Sequence, residues 1–306
     1  MHPGLPPSIQ VFERGWLSSN NILCIGRDDT ALVDSGYVTH AAQTLALVRH
    51  ALQGRPLDRL LNTHLHSDHC GGNALLQEAY GCRTAIPALD AAKVAAWDEE
   101  ALSYRATGQQ CARFGFDATL APGQALVLGD LRWEVLAAPG HDPHALLLFC
   151  AQEGVLVSGD ALWENGFGVI FPELAGEPGF DEVGATLELI ASLDARVVIP
   201  GHGAVFRDVA QAVERARSRL DYLRGDPLRN AENAVKVLLK FLLLERRTLA
   251  LAALPGLLEA IPLVERVRTR VLGRDAQELA RWAAAALVRA GAARVEGALL
   301  VDVDMP

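Results

Sequence analysis

No apolar run in this sequence approaches the roughly 18 residues that a membrane-spanning helix needs. Even VKVLLKFLLLE (235–245) is interrupted by Lys236 and Lys240, so an integral membrane protein is not expected. The amino terminus, MHPGLPPSIQVFERG, has neither a basic n-region nor an apolar h-region, and the expected address is cytoplasmic. Cysteine is scarce: Cys24, Cys70, Cys82, Cys111 and Cys150 are an odd set with no C-x-x-C spacing. That argues against a disulfide framework or a thiolate zinc knuckle, and reduced, core-filling cysteines are expected. Lysine is nearly absent from the first two-thirds, where Lys93 is the only one before residue 205. Internal repeats and low-complexity segments are missing too, which excludes solenoid and linker-like architectures.

What is present is a chain of 306 residues, half of them apolar and 21% charged, a composition that folds as a soluble globular protein. The length allows two domains. The net charge of -9 is unevenly spread, with 11 Lys+Arg against 24 Asp+Glu in residues 1–204 and 17 against 13 in residues 205–306. The first part, at -13, repels polyanions, so nucleic acid is disfavoured as a partner and a small-molecule substrate is expected.

Short strand signals open the chain: IQVF, NILCIG and TALVDSG, then an amphipathic stretch from Thr39 to about Leu52, then LDRLLNTH. From residue 85 to 118 the pattern turns helical, with DAAKVAAWDEEALSYR, then loses clear periodicity, and the segment reads as an inserted cover. Strands resume with QALVLG, LRWEVLAAPGH, ALLLFCA, GVLVSGDAL and ARVVIPGHG. Beyond residue 204 the spacing predicts long helices. One runs from Val205 to Arg224, and a second starts at Asp226-Pro227 and runs to about Arg247. A helix over 275–290 and a short terminal hairpin complete a winged-helix-like pattern. The expected division is 1–204 and 205–306.

The chemistry concentrates in NTHLHSDHCGG, which holds His64, His66, Asp68 and His69. Three imidazoles and a carboxylate so close together are costly to bury unless something cationic holds them. In a loop leaving a strand, His64 and His66 project to one side and can bind one ion, while Asp68 and His69 lie past the turn and can reach a second. His141 in APGHDPH, Asp160 in VSGDAL and His202 in IPGHG recur in the same setting, an apolar strand followed by small residues and then a ligand type. Imidazole and carboxylate without thiolate suit zinc, with manganese or iron also compatible.

The order LVDSG, THLHSDH, PGHD, SGDAL, PGHG resembles the motif series of the metallo-β-lactamase-fold hydrolases, the group that includes glyoxalase II enzymes. The resemblance covers about residues 9–204. It implies an α+β fold, a four-layer αββα sandwich with a small, mainly helical C-terminal part, and two divalent metals in a cleft at one edge. Carried over by motif, His64, His66 and His141 would hold the first metal, Asp68, His69 and His202 the second, and Asp160 would bridge them. Asp68 and Asp160 are the expected catalytic carboxylates. Asp34 would orient a ligand histidine from behind or simply cap the strand end. His144 is expected to have a local structural role, and Cys70 to pack rather than react.

Such a centre would cleave a small ester, thioester, lactone or related substrate with a metal-bridging hydroxide. Trp163, Phe167 and Phe171, with Trp97 and Tyr104 from the inserted segment, are candidates to line the cleft or are ordinary core aromatics. If they line it, the substrate is neutral or weakly charged with an apolar part. Unlike glyoxalase II, the chain has no evident basic cluster to grip glutathione carboxylates, and WENGFGVIFPEL (163–174) replaces a more polar loop. Alternatives within the resemblance are an endoribonuclease or phosphodiesterase, a persulfide dioxygenase, and a non-catalytic small-ligand sensor. A homodimer remains open. The helices beyond residue 204 are expected to pack beside the cleft through Val213, Leu220, Leu223, Val237, Leu238 and Phe241.

Overall fold

The computed structural model describes residues 4–226 and 228–303. Its first sheet is hydrogen-bonded in chain order: β1 (Ile9–Phe12), β2 (Asn21–Ile25), β3 (Thr30–Val33), β4 (Arg59–Leu61), β5 (Arg83–Pro87) and β6 (Ala118–Leu120). The first three strands are antiparallel and the rest join in parallel. Their connections carry α1 (Ala41–Leu52), α2 (Ser67–Cys70), α3 (Asn73–Tyr80), α4 (Ala91–Ala96) and α5 (Tyr104–Thr107). A second sheet holds β7 (Ala125–Leu128), β8 (Leu131–Ala137), β9 (Leu146–Cys150), β10 (Val155–Gly159) and β11 (Val197–Pro200). Only the β10–β11 pair is parallel, its crossover carrying α6 (Phe171–Ala175) and α7 (Gly179–Ser192).

Period-two alternation explains the layers. Ile22, Cys24, Ala31, Val33 and Leu61 face inward and meet Val135, Leu146, Leu148, Val155, Val157 and Ile199 of the second sheet. The intervening Leu23, Leu32 and Leu60 face outward and bury Leu45, Val48 and Leu52 of α1 and Leu76 of α3. On the far side, Leu147, Phe149, Leu156 and Val198 bury Val183, Leu187 and Ile190 of α7. The result is the expected four-layer αββα sandwich. Strands covered on both faces must be apolar throughout, which is why they read as continuous apolar runs.

Helix α8 (Val209–Arg224) begins four residues later than the spacing predicts, because the Asp208 carboxylate accepts the Gln211 N–H and caps it. Phe206 instead bridges to Val198 beside β11. Ala212, Val213, Ala216, Leu220 and Leu223 join the core of α7 and the second sheet, so the apolar contacts of α8 lie with the sandwich rather than with the helices after it. Those later elements are α9 (Leu228–Arg246), β12 (Thr248–Ala250), α10 (Leu254–Glu259), α11 (Pro262–Val267), α12 (Ala276–Arg289), β13 (Ala293–Glu296) and β14 (Leu299–Asp302). They share a core of their own in which Val235, Leu239, Leu243, Leu279 and Leu300 are fully buried, each worth about 1.5–3 kcal/mol of apolar burial. The hairpin is joined by β12 into a three-stranded sheet ordered β12-β14-β13. A strand as short as β12 has too few alternations to announce itself in the sequence. The anticipated helix start at Asp226-Pro227 involves Pro227, which lies outside the described residues.

The inserted segment holds two short helices, α4 and α5, in the stretch read as helical, but a strand enters it and the two helices are separate. Arg83–Pro87 is a strand, and α4 stops at Trp97, which adopts a left-handed conformation at φ 51°. No helix among the described residues is long and apolar enough to cross a membrane.

Candidate metal centre

Strand β4 ends at Leu61, and the chain runs through Thr63 and His64 into α2, whose N-cap is His66. Asp160, His202 and His141 follow β10, β11 and β8 at the same edge of the sandwich. The donor atoms fall into three overlapping groups: His64, His66 and His141; His64, His69 and Asp160; Asp68, His69 and His202. Within each group they lie within 4.8 Å of one another.

Asp160 sits between the sets. Its Oδ1 is 3.4 Å from His69 Nε2, and its Oδ2 is 3.4 Å from His141 Nε2 and 3.8 Å from His202 Nε2. His66 Nδ1 and His141 Nε2 approach to 2.7 Å, and His202 Nε2 lies 3.1 Å from Asp68 Oδ2. Backbone economy makes this crowding feasible. A Cβ at Gly201 would stand 2.1 Å from Asp160 Oδ1, and one at Gly168 would stand 2.3 Å from His141 Nδ1.

Surrounding groups fix which nitrogens face inward. Asp34, at φ 59°, accepts the Thr63 N–H at 2.9 Å, the Thr63 hydroxyl at 2.8 Å and the His69 Nδ1–H at 2.8 Å. With its own proton given to Asp34, the Thr63 hydroxyl accepts His64 Nδ1–H at 3.1 Å. His141 Nδ1–H donates to the Val169 carbonyl at 2.6 Å. Each arrangement turns the other nitrogen, Nε2, toward the cluster. His64 Nε2 and His69 Nε2 are buried without a hydrogen-bond partner. Orphaned imidazole nitrogens facing carboxylates are what a divalent cation of borderline hardness satisfies, so the residues fit the metals implied by the sequence.

The electrostatics agree. Burial first, then the neighbouring His69, His66 and His141, hold His64 well below its ordinary value. Burial and His66 lower His141 to about 4. His69 goes the other way: burial opposes its charged form, but Asp160 and Asp34 together hold it well above the imidazole range. Burial would also raise Asp160, yet His202 and His69 keep it well below the carboxylate range. Positive charge is therefore favoured where His69 meets the two aspartates, and neutral imidazole where His64 and His141 stand.

The model for the metallo-beta-lactamase superfamily matches residues 14–202, a span that contains every one of these ligand-type side chains. The chain belongs to the metallo-β-lactamase superfamily. It is similar to a hydroxyacylglutathione hydrolase of Brucella anthropi, 25% identical over 202 residues, covering 66% of this chain and 65% of that protein. A protein of the same name from Acidiphilium cryptum is 31% identical over 170 residues, covering 55% and 59%. The chain thus matches 59% to 65% of the length of these curated relatives. Among solved structures, a metallo-beta-lactamase family protein from Thermus thermophilus superposes with a TM-score of 0.59 at 20% identity. That likeness of fold covers 97% of this chain and 99% of the other, and so extends past the second sheet to the last helices.

In this superfamily member the cluster opens into a cavity of about 110 Å³ walled by Trp163, Phe167 and Phe171. Trp163 donates its indole N–H to Asp160 Oδ1 at 3.2 Å. Val237, Leu238 and Phe241 of α9 complete one wall, so the expected contribution of the last helices to the cleft is present. Tyr104 and Trp97 do not line it. Tyr104 is buried against Trp97, Phe114 and Cys70, its hydroxyl 3.2 Å from the Cys70 thiol, because α5 turns that face into the satellite core under the cover. His144 pairs with Asp90 at 2.7 Å and stays outside the cavity wall. Sequence reasoning missed Trp16, stacked on His202 with centroids 5.6 Å apart, along with Gln109 and Arg219. Trp16 lies in a loop between strands with no ligand-type neighbour to mark it. A larger open groove, about 660 Å³, lies on the last helices, but it shares no lining residue with the cluster and contains no metal-ligating side chain.

Proposed function

We propose that the protein is a dinuclear metal-dependent hydrolase of a small ester, thioester, lactone or related acyl substrate. The observation that carries this reading is Asp160, whose two oxygens face different histidines at 3.4 Å. In the reading, His64, His66 and His141 hold one ion, Asp68, His69 and His202 hold the other, and Asp160 is shared. A pair of such ions, zinc by donor type and otherwise manganese or iron, supplies a water-derived nucleophile at neutral pH and a Lewis acid for the scissile carbonyl.

The chain's own residues do the rest. Asp160 and Asp68 are the carboxylates available to accept hydrogen bonds from the attacking water. Asp34 holds His69 in one tautomer, and the Trp163 indole steadies Asp160. Trp16, Phe167, Phe171 and Phe241 exclude bulk water and receive the apolar part of the substrate. The names of the Brucella and Acidiphilium relatives support thioester cleavage as the first chemistry to test. Elemental analysis of protein purified without added metal, beside a screen of thioester, lactone, phosphodiester and β-lactam substrates, tests the reading. About two ions per chain with acyl hydrolysis is the expected result. Absence of metal, or turnover confined to phosphodiesters, would overturn it.

A further inference from the structure

Arg219 is the only lysine or arginine among the described residues that line the cavity of the cluster. It projects from α8, with its guanidinium carbon 5.3 Å from the centre of the Phe167 ring. Its stem is pressed so closely on Gly166 that a Cβ there would meet Cδ at 3.0 Å and Nη1 at 3.2 Å. The other arginines of this helix are engaged. Arg215 donates to the Glu164 carbonyl, Arg217 pairs with Glu188 and Glu214, and Arg224 pairs with Asp181. Arg219 alone among them has its ring contact and no hydrogen bond or ion pair among the described residues.

That arrangement is unusual for a guanidinium, which carries five N–H donors and seeks planar acceptors. Burial lowers its pKa, the mark of a charge partly stripped of water without a compensating anion. Lys236, on the neighbouring α9, is also lowered by burial and, after the opposing effect of Glu232, by the Arg219 charge. A second cation within electrostatic reach raises the cost of leaving this corner without a negative partner. Phe167 lies under the guanidinium, and Val237, Leu238 and Phe241 line the same cavity with apolar surface. The acidic character of residues 1–204 disfavours a polyanion, whereas one planar guanidinium matches a single carboxylate bidentately.

We propose that Arg219 is a specificity-determining residue that pairs with a carboxylate carried by the substrate away from its scissile bond, the connecting apolar chain lying along Phe167 and α9. This deepens the hydrolase reading and rests on it for the chemistry, while the binding it describes can be measured without turnover. It also amends the expectation of a neutral or weakly charged substrate, which followed from aromatic side chains beside the cluster in an acidic part of the chain.

Calorimetric titration of the full-length protein with 4-phenylbutyrate and with the neutral 4-phenylbutyramide tests it. The parent should favour the carboxylate by roughly 10- to 100-fold, the range of a charge-assisted pair. Arg219→Gln and Arg219→Met should reduce that ratio to near one, and Arg219→Lys should keep part of it. Arg219→Met retains an aliphatic stem against Phe167, and a melting temperature close to the parent's shows that the fold is intact. A carboxylate preference that persists in both neutral variants, as a ligand drawn only to the histidine cluster would give, overturns the proposal. In the kinetic arm, mono(4-nitrophenyl) glutarate is compared with 4-nitrophenyl pentanoate. The ratio of their kcat/KM values should fall in Arg219→Gln chiefly through KM. If Arg219-dependent binding of phenylbutyrate is found in protein that carries no metal or turns over phosphodiesters alone, the hydrolase reading fails and the anion site stands. If both esters are cleaved with no preference in the parent, the anion site fails and the hydrolase reading stands.

Discussion

The carboxylate of Asp34 and the imidazole of His69 meet 2.8 Å apart in the interior, where their side chains are 1% and 0% exposed. Neither has water to turn to, so the contact sets the direction of His69 and leaves its Nε2 for the cluster. Asp34→Asn keeps the size and the turn but replaces the anion. Metal affinity should fall about 10- to 100-fold with little change in fold, as is usual when a histidine loses its carboxylate partner. Competition with a chromogenic chelator measures it, and an unchanged affinity would show that Asp34 merely caps the strand.

Asp160→Ala should lower activity and metal content together. The carboxylate faces both histidine sets, so its loss affects each. The expected stoichiometry falls from about two ions to about one. Full occupancy by elemental analysis in an inactive variant would mean that Asp160 acts on substrate alone.

Cys70 is buried beside the ligand loop with its Sγ 3.8 Å from that of Cys111, and burial raises its thiol well above the ordinary range. Cys24 is raised to about 12 for the same reason. At pH 8 both stay protonated, because a raised thiol pKa leaves almost no thiolate below it. Iodoacetamide should therefore label the half-buried Cys111 first, with Cys70 and Cys24 reacting only on unfolding. Cys70→Ala should keep most turnover, whereas strong chelation should abolish it reversibly. A covalent acyl group trapped on Cys70 would reverse this assignment.

Phe241 of α9 packs edge-on against Tyr37 with ring centroids 5.0 Å apart, in a small cluster with Leu17. Asn230 of the same helix donates to the Ile170 carbonyl at 2.9 Å. These contacts tie the last helices to the loops around the cluster. Deleting residues 226–306 should yield insoluble or substrate-incompetent protein, and Phe241→Ala should cost about 3–5 kcal/mol in urea denaturation. Recovery of a soluble, fully active fragment would show these helices to be an independent module.

The local sequence determined the ligand loop, because THLHSDH places its donors within one strand end and one helical turn, where spacing alone dictates direction. It also marked the strands, since strands covered on both faces leave apolar runs, and it marked His141, Asp160 and His202 by the small residues that let chains crowd, while the four layers followed from the family resemblance. Tertiary structure decided which groups meet across the chain. Whether Asp34 capped its own strand or steered His69, 35 residues away, depended on how β3 pairs with β4. Tyr104 reads as an aromatic beside a cleft, but the direction of a side chain on a short helix depends on what packs over it. Trp16 and Arg219 carry no motif at all. A guanidinium on an amphipathic helix resembles any solvated base, and the packing of α8 against the Gly166 turn set this one in the wall of the cavity.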